Sequence, residues 1–406
     1  MADLLYLVHR IPYPPNKGDK LRSYHLLRHL AARHRVHLGC FIDDPADLAH
    51  VDALRPLCSA LHVAELAPRR ARIASLAGLW RGEPLTLAYY RDESMARWVG
   101  GLRASGRIDA SVVFSSSMAQ YAEPLDERPV LVDFVDVDSA KWTQYAGERP
   151  WPLSWLYRRE GVELLRYERR VAASARRSFF VTDRESELFR RAAPECADRV
   201  ETLGNGVDTD HFAPEPQRPN PYAEGELPVV FTGAMDYWPN IDAVTWFARE
   251  VLPGLLRRWP ALSFHIVGRA PPPSVRALAS AHVHVSGTVP DVRPYLQHAA
   301  VVVAPLRVAR GIQNKILEAM AMARPVVAAR DCVDATEARA GDELLAAVTP
   351  ADYVAQIAAL IESPARAAAI GAAGRAHVRT RCSWAAQLAG IDRHLDALAS
   401  ERSAAA

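Results

Sequence analysis

Lysine is almost missing from this chain: Lys17, Lys20, Lys141 and Lys315 are the four among 49 lysines and arginines in 406 residues. The formal net charge is only +2, and no lysine run or basic domain stands out, so nothing marks the chain for nucleic acid. Small molecules are the expected partners. Cysteine is scarce as well. Cys40, Cys58, Cys196, Cys332 and Cys382 are an odd number, widely scattered, without a C-x-x-C pair to hold zinc or a redox disulfide, which fits a reducing compartment. No run approaches the roughly 18 apolar residues of a membrane span. Met1-Ala2-Asp3-Leu4 enters a strand directly, without the basic start, apolar core and cleavage site of a signal peptide. These absences predict a cytoplasmic chain that is able to lie against the inner face of the membrane. What is plentiful is apolar material, 50% of the residues, enough for large cores over a length that favours two domains.

Short apolar runs alternate with helical stretches throughout, which indicates parallel α/β architecture. Residues 4–8 and 36–42 read as strands bracketing a helix with the stripe Tyr24, Leu27, Leu30 and Ala31 and with Asp19 as N-cap. The loop into that helix holds Lys17, Gly18, Asp19 and Lys20, with Arg22 beyond. It either touches a phosphate or is an ordinary charged loop, and it lacks the G-x-G-x-x-G of dinucleotide sites. His25 and His29 lie four apart on the helix, but no third ligand completes a metal set. Residues 45–108 read as helical. Strands at 110–114 and 130–132 each end in a polar loop, Ser115-Ser116-Ser117 and 133–142, at the edge where open parallel sheets bind ligands. Within the second loop, the carboxylates of Asp136-Val137-Asp138 either cap the following helix or face an acceptor. From 151 to 180 tryptophans, tyrosines and arginines crowd together with Glu160, Glu163 and Glu168 interleaved; such a face is either solvated or laid on an anionic bilayer. A strand at 179–182 closes the first sheet. Prolines 214, 216, 219 and 221 mark a connector, and strands near 229–231, 264–267, 283–285, 301–304, 326–328 and 344–347 build a second parallel sheet before three final helices.

The most informative stretch runs from 301 to 323: a buried strand, a loop broken by Gly311, then a helix that stops at Arg324-Pro325, because proline cannot continue it. Ile312, Ile316, Ala319, Met320 and Ala323 recur at a 3.6 period and should pack on a sheet. Gly311, Lys315 and Glu318 fall on the other side, over the carboxyl end of the strand. Free amides in the first turn, a glycine that admits close approach and an ammonium one turn in make a receptor for a diphosphate. Glu318, deeper on that face, can accept hydrogen bonds from sugar hydroxyls. The plainer reading is a solvated lysine–glutamate pair. The rarity of lysine and the position at a strand-to-helix crossing favour the nucleotide seat.

Four segments, Asn205-Gly206-Val207-Asp208, the run from Phe231 to Asn240, Val267-Gly268-Arg269, and the run from Lys315 to Ala321, occur in an order and spacing that resembles the retaining GT-B glycosyltransferases of family 4. The nearest likeness is to the sugar transferases of exopolysaccharide systems linked to PEP-CTERM sorting, and it covers nearly the whole chain. The resemblance implies two Rossmann-like parallel α/β domains facing a central cleft. An acceptor-binding domain would span 1–204, a linker region 205–226, a nucleotide-sugar domain 227–380, and a helix and tail at 381–406 would cross back to the first domain. Glu318 matches the second glutamate of the family's E-x7-E signature, which binds the ribose. Lys315 and Gly311 would meet the diphosphate, Gly233 would allow close backbone approach, Arg269 would contact phosphate or base, and Thr288 and Val289 would meet the nucleobase. Asn240, Gln313 and Asn314 complete the implied donor set, and the loop from Lys17 to Lys20 the acceptor side. One departure stands out: Arg310 occupies the place of the first glutamate and, having no acceptor atoms, would assist the phosphates instead.

The implied reaction moves a hexose-type sugar from a nucleoside diphosphate donor to a glycan or lipid-linked acceptor. Lys315 and Arg310 would stabilise the leaving group, Asp136 and Asp138 would orient the acceptor, and no metal or cofactor is expected. Two alternatives remain open, a nucleotide-sugar 2-epimerase and a non-catalytic nucleotide-sugar-binding subunit of a polysaccharide assembly.

Overall fold

The computed structural model describes residues 1–15, 17–125, 128–147, 149–307 and 312–405. It divides into two compact units, Met1–Asn205 with Gln387–Ala406, and Gly206–Ala386. Each has its own parallel sheet.

Among the described residues the first unit holds β1 (Asp3–Val8), β2 (Arg35–Ile42), β3 (Ala60–Glu65), β4 (Ala110–Phe114), β5 (Val130–Val135), β6 (Arg177–Phe180) and β7 (Val200–Thr202). Their order is β3-β2-β1-β4-β5-β6-β7, with every pairing parallel. The central strands are near-continuous apolar runs because helices cover both faces; Leu4, Leu5, Tyr6, Leu7 and Val8 are all buried. Two strands escape the sequence reading. β3 lies inside the stretch taken as wholly helical, and β7 adds a further strand beyond the one expected to close the sheet.

The second unit holds β8 (Leu227–Thr232), β9 (Leu262–Val267), β10 (Val283–Gly287), β11 (Val301–Ala304), β12 (Val326–Ala329) and β13 (Leu345–Ala347), in the order β10-β9-β8-β11-β12-β13, again all parallel. The proline-rich stretch after Gly206 runs against this unit: Val207 and Tyr222 join its core, and the Tyr222 hydroxyl donates to the Tyr295 carbonyl. In both sheets the order reverses beside the first strand, between β1 and β4 and between β8 and β11. Crossover helices leave the sheet in opposite directions there, and a crevice opens at the carboxyl ends of the strands.

The last helix, Trp384–Ala405, packs into the first unit from Gln387 onward. Asp392 accepts hydrogen bonds from His29 and pairs with Arg33, and His394 bonds Glu201 at 3.0 Å. No described helix is long and apolar enough to cross a membrane.

Candidate functional site

In the second unit the crevice beside β8 is built by backbone packed on backbone. A Cβ on Gly268 would sit 1.7 Å from the Gly233 carbonyl oxygen, so the turns after β8 and β9 touch without side chains between them. The Gly233 amide donates to Val267 and the Met235 amide to Arg269, which zips the two turns together. Gly233 has φ 155°, and a Cβ there would meet the Lys315 ammonium at 2.8 Å and the Asn240 amide nitrogen at 2.9 Å. Asn240 is buried. Its Nδ2 donates to the Ala234 carbonyl, and its Oδ1 accepts from Lys315 Nζ at 2.5 Å. The ammonium also lies 4.2 Å from the centre of the Phe231 ring.

Lys315 stands in the first turn of the helix Asn314–Ala321, and Glu318 follows one turn on. Neither is a solvated surface charge. Burial pulls the Lys315 pKa down to about 7, against the opposing pull of Glu318, and burial pushes Glu318 up to about 7, against the pull of Lys315. The Glu318 carboxyl has no hydrogen-bond partner among the described residues. The helix ends as the sequence predicts, just before Pro325, with Ala323 in the left-handed region and the Arg324 amide donating back to Ala319. The expected buried stripe is correct for Ile316, Ala319 and Met320. Ile312 is a correction: it precedes the helix and is 38% exposed.

The other donor-side residues scatter more. Arg269 is exposed and lies 3.6 Å from Asp236. Thr288 is exposed and Val289 half-buried, both just beyond β10. Gln313 is half-buried at the helix N-cap and Asn314 is exposed. Arg310 and Gly311 lie outside the described residues.

The first unit carries a cavity of about 840 Å³ at the matching edge of its sheet. His9 follows β1, Ser115 follows β4, Val135 ends β5 and Asp136 follows it; all line the cavity. Ser115 has φ 76° and Val135 φ 70°. A β-branched residue at positive φ is strained, and here the Asp136 amide donates across it to Phe134, forming a tight turn that presents Asp136. The strain is held from below. Val135 N donates to the Asp133 carboxylate, which is buried against the Arg22 guanidinium at 2.8 Å. Arg22 also donates to the carbonyls of Leu203 and Gly204 and to Asn205 Oδ1. Removing one member of such a pair leaves an uncompensated buried charge, at a cost of about 3–5 kcal/mol.

Asp136 and Asp138 converge as the D-x-D spacing suggests, and the pair is bridged: Lys141 Nζ donates to them at 2.8 and 3.0 Å. Across the cavity His9 Nε2 faces Asp19 at 3.5 Å. Burial would raise the Asp19 carboxyl, yet the bond from His9 and the charge of Arg10 hold it well below the usual range. Tyr89, Tyr90, Phe114, Trp142, Tyr145 and Tyr157 supply aromatic walls. The His9–Asp19 pair is absent from the sequence reading, because nothing in residue spacing links the end of a strand to the first turn of the next helix.

Several expectations for this unit are corrected. Asp19 is not an N-cap; Lys17 holds that position without a side-chain cap, and the Asp19 carboxylate goes to Arg10. Lys17 and Gly18 are exposed, but Lys20 is buried against Asp47 at 2.6 Å and Arg22 against Asp133, so neither cation is offered to a phosphate. Glu160 and Glu168 are not solvated partners of surface arginines. Both are buried, Glu160 accepting from the amides of Leu85 and Thr86, and Glu168 from the Ser139 hydroxyl and amide.

Residues 226–363 match the family "Glycosyl transferases group 1". That segment contains Gly233, Asn240, Lys315 and Glu318. No curated protein matches the chain. Solved structures do. HepE from Anabaena, crystallised with UDP and glucose, is 16% identical, with 98% of this chain and 100% of that one covered at a TM-score of 0.62. Sucrose-phosphate synthase from Thermosynechococcus elongatus is 17% identical, covering 98% and 100% at 0.61. A putative UDP-N-acetylglucosamine 2-epimerase from Listeria monocytogenes is 11% identical, covering 97% and 96% at 0.53. At these identities the likeness is one of fold, two Rossmann-like parallel α/β units of the GT-B type.

Proposed function

We propose that the chain is a retaining glycosyltransferase of the family 4 type. In this reading it moves a hexose-type sugar from a nucleoside diphosphate to a glycan or lipid-linked acceptor in exopolysaccharide biosynthesis. The observation that carries the reading is the cluster of Gly233, Asn240 and Lys315 at the carboxyl end of β8, with Glu318 a turn behind. An ammonium with, among the described residues, a single side-chain hydrogen bond above a bare backbone turn suits a diphosphate, and a carboxyl without a hydrogen-bond partner among those residues suits the ribose. The group 1 domain and the UDP bound by HepE support it.

As the donor's glycosidic bond breaks, charge grows on the diphosphate. Lys315, the first amides of its helix and Arg310 neutralise it, and the departing phosphate oxygen takes the acceptor proton. The first unit's cavity holds the acceptor, with Asp136 and Asp138 orienting its hydroxyl and Lys17, Gly18 and Asp19 at the acceptor side. Arg269, Thr288, Val289, Gln313 and Asn314 contribute to holding the donor. The reading requires no metal and no cofactor, so a chelator should leave transfer unchanged. Peripheral contact with the inner face of the cytoplasmic membrane belongs to the same proposal; the exposed Trp80, Trp151 and Trp155, set among arginines, support it.

Calorimetric titration with a panel of nucleoside diphosphates tests the donor seat. Lys315→Ala and Glu318→Gln should each raise Kd at least about tenfold, a loss of roughly 1.4 kcal/mol, with circular dichroism unchanged. Unaltered affinity in both variants would remove the assignment. The fold shared with the 2-epimerase keeps a second reading alive. Conversion of the donor sugar without an added acceptor would favour it.

A further inference from the structure

Away from the donor seat, three side chains of the second unit converge on one point. His265 of β9 and His284 of β10 are direct register partners on neighbouring parallel strands, so their rings leave the same face of the sheet and stack 4.7 Å apart. Glu226, on the segment entering β8, reaches over to accept from His265 Nε2 at 2.6 Å. One ligand atom from each of the three lies within 4.8 Å of the others.

We propose that Glu226, His265 and His284 form a binding site for a zinc-type divalent cation. Two imidazoles and one carboxylate are a ligand set that suits Zn²⁺ and leaves a fourth position for water. The supporting contacts are those a metal site needs. The Glu226 carboxylate is oriented by the Ser263 hydroxyl and by the Ala223 amide at 2.9 Å, and Tyr222 packs its ring edge on His265 at 4.7 Å. His284 is exposed, which provides the entry path and lets its ring swing inward to the ~3.4 Å ligand spacing that zinc bonds of about 2.0–2.1 Å require. A bound ion would tie β10, the edge strand, and the segment before β8 onto β9.

The site stands independently of sugar transfer. The test uses the full chain, freed of metal by a chelator and of any histidine tag, and titrated with ZnCl₂ and with CoCl₂ as a spectroscopic probe. The expected result is one ion per chain and the visible absorption of four-coordinate cobalt. His284→Ala, a surface change that leaves the core untouched, should weaken binding roughly 100-fold, and Glu226→Gln, which keeps the bond from Ser263, by at least about tenfold. Absence of zinc binding by the unaltered chain at micromolar concentration would overturn the proposal, as would affinity unchanged in both variants or a preference for Mg²⁺.

Discussion

Lys315 is placed where an ammonium is expensive. Its ordinary pKa of 10.5 falls to about 7 through burial, so between those values the unfolded chain holds a proton that the folded chain does not, and stability rises with pH across that window. Glu318, raised from 4.5 to about 7, holds a proton in the fold that the unfolded chain has released, and its contribution declines as pH climbs from 4.5 to 7. The pair is thus least favourable near neutrality. A diphosphate on Lys315 relieves the lysine by restoring its proton. Binding should therefore take up a proton and weaken as pH rises from 7 to 9, which calorimetry in buffers of different ionisation enthalpy will measure; affinity flat across that range would contradict the assignment. Lys315 stands out in the sequence by rarity and by its place at a strand-to-helix crossing. Asn240, which aims it, does not, because 75 residues separate the two. Lys20 and Arg22 mislead for the same reason, since Asp47 and Asp133, their partners, lie 27 and 111 positions away.

Among the elements, the contact between the turns after β8 and β9 is the least forgiving. Gly268→Ala forces a Cβ against the Gly233 carbonyl, and the obstacle is backbone, so a strand end must move. Thermal denaturation should show a loss of about 1–3 kcal/mol together with weakened nucleoside diphosphate binding. A variant as stable and as tight-binding as the parent would show that the turns tolerate separation. A second element, the helix Leu153–Ser174, has one face turned into the first unit through Glu160, Leu164, Tyr167 and Glu168 and another that exposes Trp155, Arg158, Val162 and Arg166. Replacing Trp151 and Trp155 by alanine should reduce sedimentation with anionic vesicles several-fold without shifting the melting temperature; equal sedimentation would remove the membrane contact. Strand legibility followed burial. The runs at β1, β2, β8 and β11 are apolar on both faces and legible. In β3 five of six residues are half-buried or exposed, and β7 has only three residues, so neither gives a periodic signal.

For the molecule as a whole, the alternation of strand and helix was enough to indicate two parallel α/β bodies; that the last segment crosses back to the first was implied by the family resemblance and not by the alternation. The first unit is discontinuous: Leu388, Ile391, Leu395 and Leu398 of the last helix are buried. At about 1.5–3 kcal/mol for each buried aliphatic side chain, their removal should cost roughly 6–12 kcal/mol, comparable to the whole net stability of a domain. Deleting 387–406 should abolish or strongly lower the unfolding transition of the first unit while sparing that of the second, as judged by calorimetry. A two-transition profile identical to the parent's would show the helix to be dispensable.

That discontinuity also sets an order of events on the ribosome. The stretch 206–386 has all its own parts once it emerges, whereas the sheet of the first unit, although its strands are translated earlier, waits with an uncovered apolar face until residues 387–406 arrive. The unit whose strands are made earlier is the one completed later, and in the interval its apolar face is open to association.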